Sequence, residues 1–278
     1  MINDKSIDII MTDIPYGINF DDWDVLHKNT NTALMKSHKS MDNTSFKKRG
    51  KPINGWNKSD KNISYEYQEW CSKWAKEFFR ITKEGSPVLI FSSRRYLHRV
   101  SCALEDQGFL IRDVLIWEKN KCNAKAQRIN KVLHKRGIFD EEFENVRLGN
   151  LKPMYEPVVW AMKPYNKTLT DCVIENRVGG FVGENGSIPS NIFKFDSNRI
   201  NRFHPTEKPV ELMKELIKVF SISKSNIILD PFCGSGTTLV ACKELGREYI
   251  GIEKDEEYYK LAQNRILQHS NSNVSTDE

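Results

Sequence analysis

The segment Asp230-Pro231-Phe232-Cys233-Gly234-Ser235-Gly236-Thr237-Thr238 stands where an apolar run, Asn226 to Leu229, gives way to a helical pattern reaching about Leu245. A second apolar run, Glu248 to Ile252, follows. Strand, glycine turn, helix and strand in that order commit the chain to a parallel sheet with helices on it. The same alternation recurs upstream. Ser6 to Met11 bunches Ile7, Ile9, Ile10 and Met11 as a strand covered on both faces does. Trp70, Trp74, Phe78 and Ile81 recur at helical spacing between Tyr65 and Thr82, and Gly85 stops that helix. Pro87 to Ser93 reads as a strand, Arg94 to Asp106 as a helix, Phe109 to Trp117 and Glu156 to Met162 as strands. Helices are expected over about Pro209 to Phe220 and Glu256 to Leu267. The polar tail, 269–278, is expected to be disordered.

The glycine loop is a place for a ligand. Gly234 and Gly236 carry no side chain to keep the backbone from a bound molecule. Glu253 ends the next strand, seventeen residues after Gly236, where a carboxylate can grip ribose hydroxyls. A nicotinamide dinucleotide is the first rival, but its loop needs G-x-G-x-x-G, and here Thr237, Thr238 and Leu239 follow Gly236. Asp230 would repel a phosphate and would favour an amino-acid ammonium. The loop therefore suits a cofactor that carries a positive amine.

Asp13-Ile14-Pro15-Tyr16 follows the first strand. An exocyclic base amine is a poor nucleophile because its lone pair is delocalised into the ring. Asp13 and a neighbouring carbonyl can accept its hydrogens and localise that pair, while Tyr16 can stack on the base. Taken by itself, this tetrapeptide is more often an ordinary turn after a strand.

Composition narrows the partners. With 39% hydrophobic and 28% charged residues in 278, the chain falls outside the disordered, fibrous and membrane classes. No run of about 18 uncharged apolar residues occurs, and Met1 to Lys5 lacks the pattern of a signal peptide, so nothing argues for export. The six cysteines are scattered without C-x-x-C pairs or histidine partners, which suits reduced cytoplasmic thiols rather than a zinc site. A formal charge of +5 decides little, but its distribution is informative. Lys47, Lys48, Arg49 and Lys51 cluster in the turn-rich stretch 20–62. Lys119, Lys121, Lys125, Arg128, Lys131, Lys135 and Arg136 form a run with no acidic residue that interrupts the strand series. A DNA-facing element inserted there is the economical reading.

The two loops together resemble the signatures of the DNA amino-methyltransferase family, which modifies N6 of adenine or N4 of cytosine. A third segment, His204-Pro205-Thr206-Glu207-Lys208-Pro209, resembles the H-P-T-x-K-P that precedes the cofactor strand in that family. The catalytic loop comes first and the cofactor loop last, an order similar to that of the permuted beta class of bacterial and phage enzymes. The resemblance implies a Rossmann-like S-adenosylmethionine-dependent methyltransferase fold over 1–268, with 20–62, 119–150 and 165–203 as DNA-facing insertions. It implies that Asp13 and the carbonyl of Ile14 hold the target amine, that Pro15 stiffens the loop and that Tyr16 stacks on a flipped base. On the cofactor side it implies Asp230 near the methionine ammonium, Phe232 near the sulfonium and adenosine, and Gly234, Ser235, Gly236 and Thr237 along the backbone. Glu253 would bind the ribose, and His204, Thr206 and Lys208 would lie near the cofactor carboxylate. The implied partner is double-stranded DNA; homodimerisation and a cognate restriction nuclease stay open.

The chain departs from the family in two places. Ile14 replaces a proline, which is expected to loosen the loop while leaving the needed carbonyl in place. The strand and helix that usually precede the catalytic strand do not appear, so the sheet is expected to lack one edge strand and the adenine pocket a wall. Asp13 favours adenine as the target, since cytosine-N4 members more often begin the loop with serine. An N4-cytosine enzyme and a catalytically inactive DNA-binding homologue are the alternatives. Trp70 and Trp74 are expected in the core, and His98 has no catalytic partner nearby in sequence.

Overall fold

A computed structural model of the chain describes residues 2–16, 32–33, 51–52, 63–121, 127–148, 151–196 and 207–271. In chain order the elements are β1 (Ile9–Asp13), β2 (Thr32–Ala33), β3 (Lys51–Pro52), α1 (Ile63–Ile81), β4 (Pro87–Phe91), α2 (Leu97–Asp106), β5 (Leu110–Glu118), β6 (Gln127–Arg128), α3 (Asn130–His134) and β7 (Arg147–Leu148). There follow β8 (Tyr155–Met162), α4 (Leu169–Asp171), β9 (Ile192–Lys194), α5 (Val210–Phe220), β10 (Ile227–Asp230), α6 (Thr237–Glu244), β11 (Glu248–Gly251) and α7 (Glu256–Asn271).

Seven strands form one sheet in the order β11, β10, β1, β4, β8, β5, β9. All neighbours run parallel except β8, which is antiparallel to both β4 and β5. The strands alternate as the pleat requires. Ile10, Val88 and Ile90 belong to a core shared with Tyr67, Phe78, Val100 and Leu104 of α1 and α2. Ile9, Met11, Leu89 and Phe91 belong to a second core with Leu212, Leu216 and Ile217 of α5 and Ala241 of α6. Two layers of helix thus sandwich a sheet buried on both faces, which explains the nearly continuous apolar runs of its central strands.

Asp13 lies in register with Phe91, and Asp230 with Gly251, so the two loops singled out in the sequence leave the same edge of the sheet from adjacent strands. That carboxyl edge is where open parallel sheets bind ligands. On the outer side of β11 no further strand lies among the described residues; the sheet reaches seven strands through β9 at the opposite edge.

The stretch 165–203 differs from the expectation of a wholly peripheral insertion. Its strand β9 pairs with β5, and Cys172, Val178 and Phe193 are buried. Trp117 fixes the end of that strand, its indole N–H donating to the carbonyl of Phe195 at 2.8 Å. A three-residue strand with one buried side chain has too little periodicity to be read from sequence. Within 119–150, β6 and β7 form a separate two-stranded antiparallel ribbon with Arg128 opposite Arg147. The stretch 20–62 and the tail beyond Asn271 lie almost wholly outside the described residues.

Candidate active site

β1 delivers Asp13 to the sheet edge, and the loop after it is held from two sides. Ile14 is 2% exposed and packs in the α1 and α2 core, so apolar burial anchors the position where the loss of the family's proline is expected to loosen the loop. Pro15 is held through its carbonyl, which accepts a 2.8 Å hydrogen bond from the Tyr67 hydroxyl. Tyr67 is itself buried against Tyr96 and Trp70. The loop therefore rests on the rigid face of α1.

Four charged side chains and a phenol meet in front of it. The Lys208 ammonium lies 2.5 Å from Asp13 Oδ2 and 3.4 Å from Glu156 Oε2. The Tyr16 hydroxyl donates to the same Glu156 oxygen at 3.2 Å, and Lys119 bonds the other, Oε1. Asp13 Oδ1 is buried and has no hydrogen-bond partner among the described residues. Burial raises the Asp13 carboxyl against the pull of Lys208, and the Glu156 charge adds to the rise. Burial alone would raise Glu156 too, but Lys208 and Lys119 bring it down to about 2. Burial likewise opposes the charge on Lys208, yet the carboxylates of Asp13 and Glu156 outweigh it and hold the ammonium above its usual range. Burial, reinforced by Asp13 and Glu156, keeps Tyr16 a neutral phenol. Two anions and two cations so balance in one pocket, with one carboxylate oxygen left over.

The second loop is built from its own backbone. Asp230 ends β10 and accepts from Thr12 at 2.6 Å and the Phe232 amide at 3.2 Å through Oδ1, and from Thr238 at 2.5 Å through Oδ2. Its burial pushes the carboxyl up to about 6. Glu253, just past β11, accepts from the Gly234 amide at 2.8 Å and the Asp255 amide at 2.9 Å, so it is tied directly to the turn it faces. Gly236 caps α6 in the left-handed region, at a φ of 82°, and a Cβ there would come within 2.9 Å of Ala262. Helix α7 therefore lies against the back of the turn.

Arg265 of α7 completes it: one guanidinium nitrogen donates to the Ser235 carbonyl at 2.7 Å and its hydroxyl at 2.9 Å, the other to Glu207 at 2.6 Å. Phe232 packs on Trp70, centroids 5.9 Å apart, which joins the two loops through one aromatic contact. Trp70 and Trp74 pad the edge of the core as expected.

These features fit a cofactor with a positive centre and no phosphate. The loop presents two carboxylates, Asp230 and Glu253, and its one buried guanidinium is engaged with Ser235 and Glu207. In front of Gly234, whose φ is 51°, an added Cβ would meet nothing within 4 Å, leaving room for a ligand against the backbone. Of the expected site residues, Asp13, Ile14, Pro15, Tyr16 and Lys208 come together at one loop, and Asp230, Phe232, Gly234, Ser235, Gly236, Thr237 and Glu253 at the other. Lys208 lies on Asp13. His204 and Thr206 lie outside the described residues. Sequence reasoning missed Tyr67, Lys119, Glu156, Glu207 and Arg265, whose spacings to their partners carry no local signal.

The profile of the N6/N4 family described as DNA methylase matches residues 7–264. The type II methyltransferase M.HindIII of Haemophilus influenzae is 43% identical over 281 aligned residues, covering 95% of this chain and 90% of its own. M.HpaI of Haemophilus parainfluenzae, another type II methyltransferase, is 26% identical over 100% of this chain and 73% of its own. Among solved structures, the M1.HpyAVI–SAM complex superposes with a TM-score of 0.55 at 22% identity, covering 94% of this chain and 89% of that one. The cytosine-N4-specific PvuII DNA methyltransferase gives 0.58 at 18% identity, covering 99% and 88%. At those identities the structural likeness is one of fold.

Proposed function

The chain belongs to the N6/N4 DNA methylase family, whose cofactor is S-adenosylmethionine, and from that premise we propose that it methylates N6 of adenine in double-stranded DNA as a type II modification enzyme. The observation that carries the reading is the division of labour within Asp13. Lys208 fixes Oδ2, while Oδ1 is buried and unpartnered among the described residues. A buried acceptor left open costs about 1–3 kcal/mol, so such an atom at a ligand-binding edge marks a place where a donor is to arrive. The amine of a flipped adenine is that donor: its hydrogen bonds to Oδ1, and a second goes to the Ile14 carbonyl.

With both hydrogens so held, the nitrogen lone pair is localised and turned toward the cofactor. When bound, S-adenosylmethionine supplies a methyl carbon made electrophilic by its sulfonium. Asp230, Phe232, Gly234 to Thr237 and Glu253 would hold that cofactor, with His204 and Thr206 at its carboxylate. Tyr16, kept neutral and tethered through its hydroxyl, offers its ring face to the base. Extruding the base costs a few kcal/mol, which this stacking and the two hydrogen bonds offset. The ribbon β6–β7, with Arg128 opposite Arg147, and the lysines around it are suited to meet the phosphates of the duplex. The choice of adenine over cytosine rests on Asp13 standing where the family's cytosine enzymes more often have serine.

The test is transfer of labelled methyl from S-adenosylmethionine to unmethylated DNA, with the product base identified by mass spectrometry and Asp13→Ala run beside it. N6-methyladenine that disappears in the variant is the expected result. N4-methylcytosine would overturn the base assignment, and an undiminished rate in the variant would overturn the role of Asp13.

A further inference from the structure

Glu156 is half-buried in the described site, bonded to three of its groups, and has no part in the reaction as set out above. It is the second residue of β8, the antiparallel strand hydrogen-bonded on both sides, and lies within the ladder in register with Trp117 of β5. Its Oε2 is shared between the Tyr16 hydroxyl at 3.2 Å and the Lys208 ammonium at 3.4 Å, and its Oε1 is bonded by Lys119. Every other member of the cluster stands at a strand end or in a connecting segment: Asp13 closes β1, Tyr16 is in the loop, Lys119 follows β5, and Lys208 precedes α5. Lys208, Lys119 and Tyr16 act on Glu156, and the Glu156 charge acts in turn on Asp13.

We propose that Glu156 is a positioning residue for methyl transfer: by sharing the Lys208 ammonium with Asp13 and anchoring the Tyr16 hydroxyl, it keeps Asp13 a net acceptor and sets the angle of the base-stacking ring. The inference rests on the methyl-transfer reading and deepens it. A lysine paired with Asp13 alone would compete with the incoming amine for the carboxylate's charge, since an ion pair in a partly desolvated pocket neutralises both members. With a second anion on the far side of Lys208, the ammonium is divided between two carboxylates. Lys119 in turn compensates the half-buried charge of Glu156. The four charges form a chain, Lys119, Glu156, Lys208, Asp13, whose last member faces the open acceptor site.

The charge order gives opposite signs for two substitutions. Glu156→Gln keeps the shape and an acceptor for Tyr16 but removes an anion whose field raises the Asp13 carboxyl. The acid limb of kcat/KM for DNA should then move to lower pH, and kcat should fall about ten-fold or more while KM for S-adenosylmethionine stays within about two-fold. Lys119→Gln removes a cation at the other end and lets Glu156 draw Lys208 from Asp13, so the acid limb should move to higher pH. A merely structural role would lower activity in proportion to folded protein and leave both limbs in place. Should Glu156→Gln fail to fold, as judged by loss of S-adenosylmethionine binding, the Lys119→Gln shift decides by itself. Unmoved limbs, or two shifts of the same sign, overturn the proposal. A wild-type protein that transfers no methyl overturns instead the reading on which it rests.

Discussion

Replacing Arg265 by methionine tests how α7 and the segment before α5 hold the cofactor turn. The guanidinium is 6% exposed and Glu207 11%, and the two are 2.6 Å apart. Two further charge-assisted bonds run to Ser235, 2.7 and 2.9 Å long. Removing one member of a buried ion pair costs about 3–5 kcal/mol, mostly the cost of a carboxylate kept from water without its cation. Arg265→Met should lose that amount in urea unfolding, read from the midpoint at unchanged slope. Adding Glu207→Gln should recover part of the loss, because the double variant no longer keeps a carboxylate that has lost the Arg265 charge; a coupling of about 1–3 kcal/mol is expected in the double-mutant cycle. Methionine supports neither bond to Ser235, so both the single and the double variant should bind S-adenosylmethionine more weakly by calorimetry. Recovery of stability without recovery of binding is thus the signature. An unchanged unfolding midpoint in the single variant, or strictly additive losses in the double, would refute the account of Arg265 as a clamp on the turn.

Two further perturbations follow from the same geometry. Asp230 titrates at about 6 rather than 3.8 because it is buried, so its ionisation costs stability that is absent below about pH 3.8 and fully present above about pH 6. Asp230→Asn should therefore gain on the wild type in thermal stability as pH rises through that window, while losing S-adenosylmethionine affinity; a stability difference flat from pH 4 to 7 would contradict the burial argument. Tyr67→Phe removes the 2.8 Å bond to the Pro15 carbonyl and should cost about 1 kcal/mol. It should lower kcat with little change in KM for the cofactor, and an equal loss in both would place Tyr67 outside the catalytic loop's support.

The sheet was legible because its central strands, covered on both faces, read as unbroken apolar runs, and because the glycine turn interrupts them where a ligand is to sit. The observed limits of β1, β4, β5, β8 and β10 stand within a few residues of those read from the sequence. What stayed hidden has a common cause. Strand β9 carries one buried side chain, Phe193, in three residues, too short a stretch to show a period. Tyr67 reads as one more apolar position on α1 until its hydroxyl is seen to reach a carbonyl 52 residues away in sequence. Periodicity reports how a residue meets the core and is silent about which distant residue it meets.

The same limit explains why its motif points Lys208 to the cofactor carboxylate while the structure sets its ammonium 2.5 Å from Asp13. Its motif neighbours place it beside the cofactor strand in sequence, but α5 begins at Val210 on the face of the sheet that packs against Ile9 and Met11 of β1, and its entry point carries Lys208 across to the end of that strand. A permuted chain makes this contact possible at both levels. Strands β1 and β10 are adjacent in the sheet, so Asp13 and Asp230 stand at neighbouring strand ends, and Lys208, two residues before α5, reaches the first of them. Thr12 makes the consequence concrete: it precedes Asp13 and yet donates its hydroxyl to Asp230 at 2.6 Å. The two half-sites share a wall one residue thick, so a substitution at Thr12 should disturb methyl acceptor and methyl donor together, which neither loop's own motif would lead one to expect.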